Sequence, residues 1–402
     1  MNLAKLLHLL QDEVHPEKDP ATKTIIRFHN PDEFAACLLQ LHKINDENIC
    51  KAVKPIRTIK AMVCPLHSPE PFARFSDRLS VEPDYQIRLH AFGFNFLNPF
   101  YNQQPPRNFE PEQKIPWGVK RIKAPLVWKR SKGNRVKIGV VDTGVDFRHP
   151  DLRACLARGI NLFNQYTLPY DDNGHGTHIA GTIAAYNPTS GMTGVAPKAI
   201  IYPVKAFDRS GSAFVSDIIM GIDWCVANRM DIINMSFGMK PRSEALLEAV
   251  KAAYRSGVII VSSSGNDGLK GSVDYPARFP QTIAVGASNK QNKIASFTNR
   301  GKEIDAYAPG AQIFSTWTAG KYNELSGTSM ATSHVTGLIA LILAYRPGLS
   351  LKKVKRVLKL SSSPVSASKK NPGVGLVNAF HALDLSRKIA AAAKSGKRAN
   401  RR

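Results

Sequence analysis

The sequence predicts an α/β protein: a mostly parallel sheet with helices on both faces, preceded by a small α/β domain. Two observations carry this. In residues 112–386, near-continuous apolar runs, suited to strands buried on both sides, alternate with stretches of helical length. Ahead of them, residues 22–92 carry a compact strand–helix–strand pattern of their own.

The elements follow in order. Residues 1–21 hold the short patch Leu6-Leu7-His8-Leu9-Leu10 and then turn charged, which reads as a short amphipathic helix or a disordered tail. The patch is too short, and followed by too few small residues, for a secretory signal. Thr24-Ile25-Ile26-Arg27-Phe28 is a strand. Asn30 then caps a helix with Pro31 in its first turn, where Phe34, Cys37, Leu38 and Leu41 recur at helical spacing. Residues 56–63 and 85–89 read as extended, and residues 72–79 as a second helix. Residues 93–111, rich in Pro, Asn and Gln, form an exposed linker.

In the larger domain, residues 136–141, 200–204, 232–235 and 258–261 are apolar strands. Residues 178–185, 216–228, 243–256 and 331–343 are helices. Residues 387–402 close the chain as a basic tail.

A length of 402 residues suffices for one large core and a second small domain. No apolar run approaches the length of a membrane span. The five cysteines, Cys37, Cys50, Cys64, Cys155 and Cys225, are scattered and form no C-x-x-C pair. They suggest structural thiols rather than a disulfide framework or a zinc site. The net charge of +24 could suit nucleic acid, anionic surfaces or acidic substrates, but it reads as a solvated, partly disordered basic surface and by itself assigns no partner. The basic tail lacks the interleaved aromatics of a base-stacking surface, so no nucleic-acid partner is assigned.

Four segments at strand ends or helix starts carry the chemistry. Asp142-Thr143-Gly144 follows the strand 136–141, at the edge where open α/β sheets place their sites. Asn173-Gly174-His175-Gly176-Thr177-His178 opens a helix. Ser264-Gly265-Asn266 follows the strand 258–261, and Gly327-Thr328-Ser329-Met330-Ala331 leads into the last apolar helix. A serine at a helix amino terminus exposes its hydroxyl and offers its own N–H to an oxyanion, aided by the helix dipole. Acyl transfer then needs an imidazole to take the hydroxyl proton and a carboxylate to hold the imidazole's tautomer. Singly, each segment is also a turn, a cap or a packing residue. Together, in the order Asp, His, Asn, Ser, they point to one chemistry.

With these segments the sequence resembles the subtilisin-like serine proteases, the subtilases, from about residue 113 to about residue 383. Ile115-Pro116-Trp117-Gly118-Val119, His149-Pro150-Asp151-Leu152, Gly194-Val195-Ala196-Pro197, Ile233-Asn234-Met235-Ser236 and Ala308-Pro309-Gly310 extend the match. The resemblance implies a serine endopeptidase acting through an acyl-enzyme. Asp142 would orient the imidazole, His175 serve as base and then acid, and Ser329 attack; the Asn266 side chain and the Ser329 N–H would hold the oxyanion. His178, one helical step from His175, is read as packing or hydrogen-bonded. Ser333 stands where relatives carry a proline before the histidine of this helix, here His334, a change in rigidity more than in chemistry.

By the same resemblance, protein and peptide substrates add as a strand between Gly211-Ser212-Ala213 and Ser236-Phe237-Gly238. The pocket for the residue before the scissile bond is walled by residues 236–238 and 263–265, with Ser264 and Gly265 among them. Asp267 and Asp274, near its rim and floor, favour Lys or Arg there by charge pairing. No catalytic cofactor is implied, but structural calcium is. Gln113 and Asp151 match two of its ligands, and the loop 186–192, with Tyr186, Ser190 and Met192, would add oxygens. Pro188 replaces an expected asparagine ligand, which weakens the site. A weaker cation site would lie near Ala277, Phe279, Thr282 and Asp305.

The 22–92 domain resembles the family's propeptide, a chaperone and intramolecular inhibitor. This implies a monomeric, self-processing zymogen cut between about residues 93 and 112. Such a region suggests export, whereas free thiols suit a reducing interior, leaving secretion by an unrecognised route or a cytoplasmic place. Two other classes are set against these readings: a non-catalytic binding protein on the same fold, against which the intact Asp142, His175, Asn266 and Ser329 argue, and a lipid or ester hydrolase, which would show a G-x-S-x-G elbow.

Overall fold

A strand with two apolar faces needs a cover on each, and both domains of this chain are built on that requirement. The computed structural model describes residues 3–14, 23–41, 43, 49, 52–90, 115–365 and 374–399. The first domain comprises α1 (Leu3–Glu13), β1 (Lys23–Phe28), α2 (Pro31–Leu41), β2 (Lys54–Ile56), β3 (Ala61–Pro65) and β4 (Leu79–Pro83), with a short 3₁₀ helix at Glu70–Phe75. Its strands form an antiparallel sheet in the order β2-β3-β1-β4. On one face Ile26, Phe28, Met62 and Cys64 pack with Leu6, Leu9, Leu10, Phe34, Cys37 and Leu41 of the two helices. On the other, Ile25, Ile56, Ala61 and Val63 join the core of the larger domain.

Three expectations for this domain change. Residues 56–63 are not one strand, because Arg57 to Lys60 turn the chain back, with Lys60 in the left-handed region at φ 52°. Residues 72–79 are not a helix: Phe72 and Phe75 are buried three residues apart, which suits a 3₁₀ turn, and Leu79 already begins β4. The amino-terminal segment is a packed helix rather than a tail, because Leu6 and Leu10 are wholly buried.

After β5 (Gln86–Leu89) the described chain resumes with α3 (Trp117–Arg121), β6 (Lys137–Asp142), β7 (Ile160–Asn161), α4 (His175–Ala184), β8 (Ile200–Lys205) and β9 (Ser212–Phe214). It continues through α5 (Val215–Ala227), β10 (Ile232–Met235), β11 (Phe237–Gly238), α6 (Glu244–Arg255), β12 (Ile259–Ser263), β13 (Thr282–Ser288) and β14 (Ile304–Pro309). A hairpin of β15 (Ile313–Thr316) and β16 (Tyr322–Leu325), then α7 (Thr328–Tyr345), α8 (Leu351–Ser361) and α9 (Ala379–Ala399), complete it.

Seven strands pair in parallel in the order β14-β13-β12-β10-β6-β8-β7. Ile138, Val140, Ile232, Ile259 and Val261 face the cluster that holds Ile179 and Ile183 of α4 and Leu338 and Ile342 of α7. Val141, Ile233, Met235 and Ile260 face Ile218 and Ile222 of α5 and Leu246 and Val250 of α6. The alternation explains why these strands read as unbroken apolar runs.

The helix α7 is long and apolar enough to cross a membrane by length and composition, but 89% of it is buried, as the central helix of the core. Strands β13 and β14 escaped the sequence reading, since Ala284, Gly286 and Ala287 give little strand signal and Asp305 interrupts the other. The boundary at residue 387 is also corrected. It falls inside α9, where Leu383 and Ser386 are buried and the alanines at 390–393 carry the helix onward.

Candidate active site

The parallel sheet brings Asp142, at the end of β6, beside the start of α4. Asp142 Oδ1 accepts the Thr143 N–H at 2.8 Å and lies 2.7 Å from His175 Nδ1, with both side chains fully buried. An ionised carboxylate only accepts, so Nδ1 carries the proton and Nε2 keeps its lone pair. That nitrogen has no hydrogen-bond partner among the described residues.

The start of α4 is held by Asp171. Its Oδ1 accepts the N–H groups of Asn173 (3.0 Å) and Gly174 (2.8 Å), and its Oδ2 accepts the Thr177 N–H (2.9 Å) and hydroxyl (2.6 Å). Orphan donors of the first turn are thereby satisfied. Gly176 must lack a side chain, because a Cβ there would collide with the Gly144 carbonyl. On the opposite side, buried Lys205 donates to the Thr143 carbonyl and to Asp172, each at 2.7 Å, pinning the loop after β6. Sequence reasoning passed over Asp171 and Lys205. An acid pair just ahead of a helix was a usable capping signal for the first; nothing local marked the second.

Ser329 lies in the first turn of α7. Its Oγ is 2.7 Å from the carbonyl oxygen of His90 and 2.8 Å from that of Ser236, and its N–H points at the His90 carbonyl at 3.4 Å. Asn266 Oδ1 accepts the Thr328 N–H at 3.0 Å and hydroxyl at 2.9 Å. With its oxygen engaged, the amide presents Nδ2 and two donors elsewhere. Asn266 also lines the cavity of about 410 Å³ shared by His90, Gly238, Asp267 and Asp274. His178 is no second base. Its Nε2 donates to the Ile313 carbonyl at 2.9 Å, and burial pushes its pKa down to about 3.

The two segments expected to flank substrate do form a cleft, and the chain's own β5 fills it. Ile87 pairs with Ala213 and Arg88 with Ser212 on one side, while Leu89 pairs with Phe237 and Arg88 with Gly238 on the other, all antiparallel. Leu89 and His90 donate to the carbonyls of Gly211 (3.3 Å) and Ser236 (3.2 Å). The next residue, His90, drops its ring into the pocket. Nδ1 meets Ser263 Oγ at 2.7 Å and Nε2 meets Asp274 Oδ2 at 3.0 Å.

A Cβ on Gly238 would strike this ring, and one on Gly265 would strike the Asp274 carboxylate. Ser264 makes no side-chain contact there: its buried Oγ has no partner among the described residues. Asp267 is likewise corrected. It is exposed at the rim of the cavity and engaged by Lys240 and by Asn299 Nδ2 at 3.1 Å rather than bonded to the His90 ring. Lys240 also contacts Asp274 Oδ1 at 2.6 Å. Burial pushes the Asp274 carboxyl up, but hydrogen bonds and charge from His90 and Lys240 outweigh it and hold the group below its ordinary value.

Two carboxylates of the first domain cap helices of the second. Glu82 accepts the Ser243 hydroxyl and the N–H groups of Glu244 and Ala245 at the start of α6. Asp84 accepts the Ser216 N–H at 2.9 Å and hydroxyl at 2.6 Å at the start of α5. Negative charge at a helix amino terminus is favourable, but at Asp84 burial outweighs the bonds from Ser216 and favours the protonated carboxyl.

A profile of the subtilase family matches residues 133–380. The chain belongs to the subtilase family. It is 44% identical over 271 residues to subtilisin of Bacillus pumilus, covering 66% of this chain and 98% of that protein. Subtilisin E of Bacillus subtilis (strain 168) is 44% identical over the same share of this chain and 70% of its own length, and subtilisin Savinase of Lederbergia lenta is 42% identical across 98% of its length. This subtilase is a serine-type endopeptidase.

The residues of this subtilase do not fit the calcium sites its family implies. Calcium requires converging oxygen acceptors, whereas Asp151 is met by donors: Asn187 Nδ2 at 3.1 Å, the Met192 N–H at 2.8 Å and the Tyr322 hydroxyl at 2.8 Å. Tyr186 enters as a backbone donor to the Asp151 carbonyl, and Ser190 Oγ bonds Asn187. Gln113 lies outside the described residues. At the weaker site the Lys355 ammonium stands 2.8 Å from Asp305 and 3.3 Å from the Pro280 carbonyl, and the Thr282 hydroxyl, with one proton to donate, lies 2.9 Å from the Phe279 carbonyl and 3.1 Å from those of Pro276 and Ala277. No group of three His, Cys, Asp or Glu residues suited to a metal occurs among the described residues.

Two predictions follow from these contacts. Chelation with EDTA shifts the thermal midpoint by less than about 2 °C, less than 1 kcal/mol moves a domain of this size; a larger fall in calorimetry contradicts the donor arrangement around Asp151. The second concerns Asp84, whose carboxyl burial raises from 3.8 to about 6. The docked chain therefore retains a proton that the separated domain releases, so Asp84 supports docking most at low pH and loses that contribution as pH rises through about 6. Asp84→Asn removes the titration, so its thermal midpoint gains on wild type as pH climbs from about 4 to 7. A constant difference across that range contradicts the assignment.

Proposed function

We propose that this endopeptidase works through Asp142, His175 and Ser329, and that it is made as a zymogen whose first domain is both its first substrate and its inhibitor. What supports the reading is the His90 carbonyl, 2.7 Å from Ser329 Oγ at the end of a strand paired on both sides. The bond to be cut is His90–Ala91, ahead of the 93–112 segment that the sequence suggested.

With β5 seated, Ser329 Oγ faces the His90 and Ser236 carbonyls and makes no hydrogen bond to His175 Nε2, so the proton transfer requires the hydroxyl to turn from those carbonyls to the imidazole. His175 Nε2 takes the Ser329 proton as Oγ attacks the His90 carbonyl carbon, and the imidazolium is steadied by Asp142. The carbonyl oxygen becomes an oxyanion held by the Ser329 N–H and Asn266 Nδ2. His175 then gives its proton to the Ala91 nitrogen, the C–N bond breaks, and water releases the acyl group by the same steps in reverse order of partners. Product His90 stays in place, because strand pairing, the apolar sheet face and the Glu82 and Asp84 caps do not depend on residue 91.

Mass spectrometry of purified protein tests this. Wild type yields a fragment beginning at Ala91, while Ser329→Ala remains full length. Asn266→Leu slows processing by about 10²–10³-fold, a magnitude known from a subtilisin rather than derived from this chain. Cleavage that persists in Ser329→Ala contradicts self-processing, and a different new amino terminus contradicts the register.

A further inference from the structure

We infer that the pocket before the scissile bond is built to select histidine, so that this peptidase cuts other proteins after histidine as it cuts its own chain. The inference rests on the reading above that residues 86–90 lie as substrate. It departs from the Lys or Arg preference that the two acidic residues suggested in the sequence.

Both ring nitrogens of His90 have a dedicated partner: Ser263 Oγ at 2.7 Å for Nδ1 and Asp274 Oδ2 at 3.0 Å for Nε2. An ionised carboxylate only accepts, so Nε2 carries a proton. The Ser263 hydroxyl either accepts from Nδ1–H, while donating to the Phe237 carbonyl 3.4 Å away, or donates to a bare Nδ1. The pocket thus reads imidazole and imidazolium alike. Gly238 leaves room for the ring, which a Cβ there would strike, and a Cβ on Gly265 would strike the Asn299 amide and the Asp274 carboxylate that meets it.

Charge and length separate histidine from its competitors. Asp267 and Asp274 supply two negative charges and Lys240 one positive, which leaves one negative charge for an incoming cation. Arginine matches that charge, but Asp274 is met at imidazole length and its other oxygen already holds Lys240. A longer cation must bend or displace that lysine. Phenylalanine and leucine leave Ser263 and an oxygen of Asp274 without their partners, and a site built for hydrogen bonds discriminates strongly against analogues that lack them.

The test uses the self-processed enzyme after its first domain has been digested away, and peptides of sequence Ile-Arg-Leu-X with a reporter after X, where X is His, Arg, Phe or Leu. The kcat/KM for His exceeds that for Phe and Leu by at least about tenfold and exceeds that for Arg. Asp274→Asn lowers the His-to-Phe ratio at least about tenfold. In the full chain, His90→Phe slows cleavage of the 90–91 bond, which gives the same reading should Asp274→Asn fail to fold. Equal rates for His and Phe, or a higher rate for Arg, overturn histidine selection while wild-type release at Ala91 leaves the processing reading standing. Absence of an Ala91 terminus, with histidine still preferred in the peptides, overturns the processing reading alone.

Discussion

A hydroxyl can attack a carbonyl only when the carbonyl is within reach, a base stands ready and the developing charge meets donors. On the proposed reading, the contact between Ser329 Oγ and the His90 carbonyl meets the first condition, and the fold brings the groups proposed for the others to the same edge. Because β6, β10 and β12 run parallel, their carboxyl ends lie on one edge, which brings Asp142, Ser236 and Ser263 together. Two helices start there as well: α4 supplies His175 and α7 supplies Ser329, each in its first turn. Asp171 and Lys205 then lock the α4 start and the loop after β6, so the imidazole is positioned before any substrate arrives.

The cleft follows from the same geometry. Strands β9 and β11 each present an unpaired edge, and a strand between them satisfies both with backbone hydrogen bonds that carry no sequence preference. Selectivity must come from side chains, and the His90 ring meets the polar groups of Ser263 and Asp274. The first domain makes the delivery of β5 dependable. Its sheet covers α5 and α6 with one apolar face, and Glu82 and Asp84 cap the starts of those helices. Each attachment is modest alone, and together they hold five residues against the catalytic centre.

What the sequence disclosed and what it hid divide along physical lines. The apolar strands were legible because burial on both faces leaves an uninterrupted run, and the segments around Asp142, His175, Asn266 and Ser329 because each meets a local backbone demand. Gly176, for instance, must pass the Gly144 carbonyl. The destination of β5 was not legible: its partners lie more than a hundred residues away, and an extended run looks the same whatever it pairs with. For the same reason Lys240 gave no sign that it would engage Asp267 at the rim of the pocket. How well the loop would hold calcium was not legible, because that depends on which way its groups point: Pro188 hinted at a weak site, and Asn187 and Tyr322 bring donors to Asp151 from opposite ends of the domain.

Covalent labelling with a fluorophosphonate bears most directly on the central contact, since the reagent needs a hydroxyl that is both activated and reachable. With β5 seated, Ser329 is buried and faces the His90 carbonyl, so the uncleaved chain should remain unlabelled while the processed catalytic domain, once freed of the first domain, carries one adduct at Ser329. Equal labelling of the uncleaved chain, or an adduct on any other residue, would contradict the account.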